Sequence, residues 1–129
     1  MADYRTQFSF VVTTTEEQRN WLKETHRQVL SEEESNLSQS AIVLRSNEYQ
    51  DPASITIEDS SETGTNTLIF AEKVGNIKYT GDLLQTFLRY FNISNTVSFT
   101  WANTCSKMRP EAFSGGSMTV GAWVIINNY

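Results

Sequence analysis

The 129-residue chain is 39% hydrophobic and 12% aromatic, and its formal net charge is −5. These values favour one globular domain, residues 1–129, and they exclude a wholly disordered chain. With no apolar run of about 20 residues, no secretory signal and one cysteine, the sequence predicts a cytoplasmic protein without membrane contact or an internal disulfide.

The first half of the chain is expected to begin with a strand and a helix. Residues 7–13 alternate apolar and polar side chains, which predicts a half-buried strand. Thr14 and Glu17 have the spacing of a capping box, so a helix is expected to run from there to about Ser31. A polar loop follows, and the apolar run 42–44 is interpreted as a short strand.

The second half is expected to supply the rest of the sheet and a second helix. Residues 53–59 and 67–72 read as two strands joined by a polar turn, which predicts a hairpin. Thr80 is expected to cap a helix with the clearest apolar stripe of the chain, formed by Leu84, Phe87, Leu88 and Phe91. A strand from 97 to 101 precedes a last strand over 117–126, one face of which would carry Met118, Val120, Ala122, Val124 and Ile126.

These elements together predict an α+β fold in two layers. Their order is β-α-β-β-α-β with one added C-terminal strand, and it would place two helices on one face of a mostly antiparallel sheet. The residues expected to form the single core are Phe8, Phe10, Trp21, Leu22, Leu84, Phe87, Leu88, Phe91, Phe99 and Trp101.

Acidic residues are concentrated in one part of the chain. Residues 32–62 hold eight acids against one base, Arg45, whereas the remainder of the chain carries a small positive charge. Because the basic residues form no cluster, we expect no direct binding of nucleic acid. The sequence instead predicts a protein partner with a basic surface, bound through Glu32, Glu33, Glu34, Glu58, Asp59 and Glu62.

Little in the sequence indicates catalysis or a cofactor. His26 is the only histidine, so the sequence indicates neither a Ser-His-Asp set nor a histidine metal cluster, and we expect no metal or cofactor. The acids at 58, 59 and 62 match no calcium loop. A thiolate nucleophile at Cys105 is the enzymatic alternative. The segment could otherwise bind an anion or nucleotide through Cys105, Lys107, Arg109, Gly115 and Gly116.

The same segment carries a sequence pattern. A strand leads into Cys-Ser-Lys-Met-Arg at 105–109, and Phe113, Gly115 and Gly116 follow. This run resembles the hallmark of a group of uncharacterised proteins from bacterial plasmids, integrative elements and phages. That group has a proline at the position of Met108 and a glycine at the position of Ser114. The resemblance covers about the C-terminal quarter of the chain and implies a mobile-element setting, without an activity.

Three functions remain open at this point. The first is a non-enzymatic protein-binding module of a mobile element, which the resemblance extends to an inhibitor of a host defence complex, as anti-CRISPR proteins are. The second is a small-ligand or nucleotide binder that uses the segment from Cys105 to Gly116. The third is a cysteine-dependent enzyme. The oligomeric state is left open by the sequence.

Overall fold

Antiparallel strands form one sheet in the part of the chain that the structure, a computed structural model, describes: residues 4–32, 35–49, 51–60, 66–105 and 114–128. The strands are β1 Tyr4–Thr13, β2 Thr56–Asp59, β3 Asn66–Ala71, β4 Val97–Cys105, β5 Ser114–Val120 and β6 Ile125–Asn128. They lie in the order β2-β3-β1-β4-β5-β6, so β2 and β6 are the edges.

Helices pack against one face of this sheet. They are α1 Glu16–Leu30, α2 Gln39–Ser46 and α3 Ile77–Tyr90, and a 3-10 turn covers Pro52–Ser54. The inward residues of the strands and the apolar faces of the helices join in a single hydrophobic cluster. The α+β two-layer fold is therefore confirmed, with one helix more than the two that the sequence predicts.

The core contains the residues that the sequence predicts for it. Leu22, Leu84 and Phe87 are buried, and they meet Phe8 and Phe99 of the sheet in the same cluster. Three of the predicted core residues, Phe10, Trp21 and Phe91, are partly buried and pack against the cluster from its margin.

Helix α1 begins one residue later than its capping pattern predicts. Thr15, not Thr14, is the N-cap: its side chain accepts a hydrogen bond from the Gln18 amide, and the Gln18 side chain accepts one from the Thr15 amide. Thr14 is buried, and its hydroxyl lies 2.7 Å from that of Thr67 in β3. The predicted cap was wrong because the Thr14 hydroxyl forms a buried hydrogen bond with Thr67 and does not cap the helix.

The short strand predicted at 42–44 is also wrong, because these residues lie in α2. Ser38 caps this helix by accepting a hydrogen bond from the Ala41 amide. Ala41 and Leu44 are three residues apart and are buried, whereas Ile42 and Val43 are about half exposed. Packing of one helical face therefore overrides the β propensity of the two branched residues.

The N-cap of helix α3 is Asn76, and the predicted cap, Thr80, was wrong. The Asn76 side chain accepts a hydrogen bond from the Tyr79 amide at 2.8 Å. Thr80 lies one turn inside the helix, fully buried, and its hydroxyl donates to the Asn76 carbonyl oxygen. Gly81 permits close contact with β5, since a Cβ there would overlap the buried Met118 sulfur.

The C-terminal run forms two strands where the sequence predicts one. The chain turns after Gly121, whose amide donates to the Val124 carbonyl oxygen at 2.7 Å, and β6 then pairs with β5. Because of this turn, the residues from Met118 to Ile126 do not share one face of a single strand as predicted. Met118 is buried, but Val124 and Ile126 are about half exposed, and Ile125 is the residue of β6 that packs against the core.

Candidate functional site

One face of the sheet is left open by the described helices. Side chains alternate between the two faces of a strand, so Phe8 and Val12 of β1 point to the core while Ser9 and Val11 point away from it and are exposed. The same alternation runs through β3 and β4. Binding from this side would need no rearrangement of the core.

A groove lies on this open face across β1, β2 and β3. Its volume is about 590 Å³, and its apolar floor includes Leu68 and Phe70, which are half-buried. Glu58 of β2 is opposite Leu68, and Glu72 follows the end of β3; both carboxylates are exposed and line the groove. A second hollow of about 420 Å³ shares Glu58, Phe70 and Glu72 and is also lined by Lys73.

The spacing of the two carboxylates follows from strand geometry. Leu68, Phe70 and Glu72 lie on one side of the same chain segment, and Glu58 is beside Leu68 on the neighbouring strand. A strand rises about 3.3 Å per residue, so the backbone positions of the two acids are roughly 13 Å apart along the strand direction. The site thus has an apolar floor with a carboxylate near each end, and Lys73 follows Glu72 in the adjoining hollow.

The three predicted acids that the structure describes do not form one surface. Glu58 lines the groove, and Glu32 is exposed after the end of α1. Asp59 is turned to the helix side, where its carboxylate lies 2.8 Å from Arg19 Nε and 3.5 Å from Lys23 Nζ. The remaining predicted acids, Glu33, Glu34 and Glu62, lie outside the described residues.

Glu72 is the residue of this site that the sequence interpretation missed. It lies outside the acidic run 32–62, and its relation to Glu58 depends on the pairing of β2 with β3. One sequence pattern could have indicated it: Leu68, Phe70 and Glu72 are each two residues apart, so in a strand they lie on the same face. Within the described structure, neither Glu58 nor Glu72 takes part in an ion pair.

The predicted anion-binding segment is only partly described. Cys105 ends β4, while Lys107 and Arg109 lie outside the described residues. Gly115 and Gly116 are not in a turn, because they lie inside β5 opposite Ala102 and Trp101. A Cβ on Gly116 would lie 2.6 Å from the Trp101 ring, so close packing against β4 explains this glycine without a ligand.

Cys105→Ser tests the enzymatic interpretation of this segment. We expect the variant to bind its partner with the affinity of the parent protein, since a serine preserves the size of a side chain to which we give no chemical role. Isothermal titration with the basic peptide described below provides the measurement. Loss of binding by a variant with an unchanged unfolding transition would move the thiol into the functional site.

His26 is placed where it supports the fold. Its ring is buried, Nδ1 lies 2.7 Å from the Tyr79 hydroxyl, and Nε2 lies 3.2 Å from the Ile55 carbonyl oxygen. Because a carbonyl only accepts, Nε2 carries the proton and Nδ1 accepts from Tyr79. Burial lowers the pKa of His26 below its ordinary value, so the ring is neutral and both nitrogens are engaged. No nitrogen is left to take a proton from a substrate.

Among the described residues, no three His, Cys, Asp or Glu side chains are grouped so that they could hold a metal ion. None of the described helices combines the length and apolar character needed to span a membrane. Comparisons with protein-family models, curated proteins and solved structures find no match to this chain.

Proposed function

We propose that this protein is a non-enzymatic binding module whose groove on the open sheet face holds a basic segment of a partner protein. The observation that carries the proposal is the apolar floor of Leu68 and Phe70 with the exposed carboxylates of Glu58 and Glu72 beside it. Apolar contact supplies most of the binding free energy, while the charges select a basic partner and speed association.

The spacing of the acids suggests which basic segment fits. In an extended peptide, side chains four residues apart lie on the same side and are separated by roughly 13 Å, as the two carboxylates are. A basic residue, an apolar residue and a second basic residue at positions i, i+2 and i+4 would therefore place cations at Glu58 and Glu72 and an apolar side chain over Phe70.

The biological setting of this binding is a further part of the proposal. The resemblance of residues 105–116 to proteins of plasmids, integrative elements and phages is what supports it. In that setting the partner would be a host protein or complex with a basic surface, and the protein would act as an inhibitor of host defence by occupying that surface.

Replacing both groove acids should weaken binding. The probe is the peptide Ser-Arg-Ser-Leu-Ser-Arg-Ser, and the variant is Glu58→Gln with Glu72→Gln. We expect its affinity to fall by about two- to thirtyfold, because each of the two exposed ion pairs contributes about 0.2–1 kcal/mol. Isothermal titration at low salt gives the measurement, and higher salt should weaken binding of the parent protein in the same direction.

Two controls separate the groove from net charge. Glu16→Gln with Glu17→Gln removes the same charge from exposed positions in the first turn of α1, and it should leave peptide affinity unchanged. A peptide of the same composition with adjacent arginines should bind more weakly, since it cannot reach both carboxylates. Equal losses for the two double variants would show that binding follows total charge and that the groove is not the site.

A further inference from the structure

The two edges of the sheet differ in how they are protected against pairing. An exposed edge strand can pair with another chain, and charged side chains commonly prevent this. β2 carries Glu58 and Asp59, so two copies of this edge would bring like charges together. Residues 121–128, which form the last turn and β6, contain no charged residue and no proline.

The backbone groups of β6 are arranged for pairing on its outer side. Gly121 donates to the Val124 carbonyl oxygen, and bonded and non-bonded pairs alternate along an antiparallel ladder. Ile126, opposite Thr119, is therefore in a bonded pair with β5, whereas Ile125 and Asn127 are in non-bonded pairs. The amides and carbonyls of Ile125 and Asn127 accordingly point away from the sheet.

Among the described residues none pairs with the outer side of β6, and apolar side chains lie beside it. Trp123 is 83% exposed at the turn before β6, and Ile126 is 50% exposed on the open face. The Arg89 guanidinium lies 4.7 Å from the centre of the Trp123 ring and donates to the Ala122 carbonyl oxygen, so the turn is held in place. Exposed Trp and Arg at an apolar patch are typical of protein interfaces.

We infer that β6 pairs with β6 of a second copy of this chain about a two-fold axis at Ile126. Ile125 of each copy would then lie opposite Asn127 of the other, and each such pair would exchange both backbone hydrogen bonds. The two Ile126 side chains would meet on the open face as a non-bonded pair, where side chains come closest.

A second copy of the chain fits this edge because pairing β6 with itself brings no like charges together. A chain with a net charge of −5 repels itself, so self-association needs a surface on which each residue can meet its own equivalent without like charges. β6 satisfies this condition. Beside it on the helix side, Lys78 and Asp82 pair with each other at 3.2 Å and contribute no net charge. The two-fold axis would be perpendicular to the sheet, so both grooves would open on the same side of the dimer.

The mass in solution tests this pairing. Sedimentation equilibrium from micromolar to millimolar concentration should give the mass of two chains for the parent protein. Ile126→Lys places two cations opposite each other and should weaken the dimer by about tenfold or more. Val11→Lys makes the same change at a residue of β1 that is 54% exposed and away from the edge, and it should leave the dimer intact.

Mixing two variants of opposite charge at residue 126 shows whether a lost dimer reflects lost pairing or lost folding. At the lowest concentration at which the parent protein is a dimer, Ile126→Lys and Ile126→Glu should each be largely monomeric when alone, and a mixture of the two should recover the mass of two chains. That recovery depends on contact between the two copies of residue 126. A monomeric parent protein at all concentrations, a dimer that survives both substitutions, or variants that stay monomeric when mixed would each overturn the inference. Groove binding of the peptide is measured separately and does not depend on this result.

Discussion

Phe87→Ala is expected to remove a large part of the stability of the fold. Phe87 is 1% exposed on α3 and contacts the rings of Trp21 and Phe91, with ring centres 6.0 and 5.4 Å away. Truncation of a buried phenylalanine costs about 3–5 kcal/mol, because apolar contact is lost and a cavity remains. The free energy of unfolding of a domain this size is about 5–15 kcal/mol, so the variant should be close to the limit of folding.

Urea denaturation monitored by circular dichroism measures this loss. Tyr90→Ala is the matched control, because Tyr90 lies on the same helix and stacks on Trp21 but is 62% exposed. We expect the control to lose about 1 kcal/mol, the contribution of an aromatic pair near the surface. Equal losses for the two variants would mean that α3 does not pack on the sheet through Phe87.

Stability should fall in mild acid because His26 is buried as the neutral ring. Burial lowers its pKa in the folded chain below the ordinary value of 6.5 that applies to the unfolded chain. The unfolded chain therefore binds this proton more readily than the folded chain does. The resulting stabilisation is fully present above about pH 6.5 and is lost as the pH falls from there towards the folded pKa.

His26→Leu isolates this effect. In the variant the Tyr79 hydroxyl and the Ile55 carbonyl lose their hydrogen-bond partner. At pH 8 the variant should therefore be less stable by about 1–3 kcal/mol for each of these two buried groups. The difference in unfolding free energy between parent and variant should shrink as the pH falls from about 8 to about 5. Carboxylates that titrate in acid are the same in both proteins, so their effect cancels in this difference. A difference that stays constant over this range would contradict a neutral, buried His26.

Elements with strong local signals were predictable from the sequence. The apolar stripe of α3 and the alternation in β1 and β4 each indicated the correct element and the correct buried face. α2 was not predictable in this way, since its two most hydrophobic branched residues, Ile42 and Val43, face outward. The break between β5 and β6 had one local sign, Gly121, because the apolar alternation continues through the turn.

The candidate site was predictable only in part, because it depends on pairing between distant residues. The acidic run includes Glu58, which lines the groove. Nothing local showed that Asp59, its neighbour, would pair with Arg19 and Lys23 across the sheet edge. Glu72 could be joined to Glu58 only through the pairing of β2 with β3, which sets Glu58 beside Leu68. Charge density along a chain therefore does not show which of its carboxylates share a surface.

Mapping of peptide binding by NMR tests the central proposal most directly. Isotope-labelled protein would be titrated with Ser-Arg-Ser-Leu-Ser-Arg-Ser, and amide signals would be followed residue by residue. The proposed function predicts that the largest shifts occur at Glu58, Leu68, Phe70 and Glu72, with little change along β5 and β6. Saturating shifts confined to other surfaces, or no shift at millimolar peptide, would contradict the groove as the binding site.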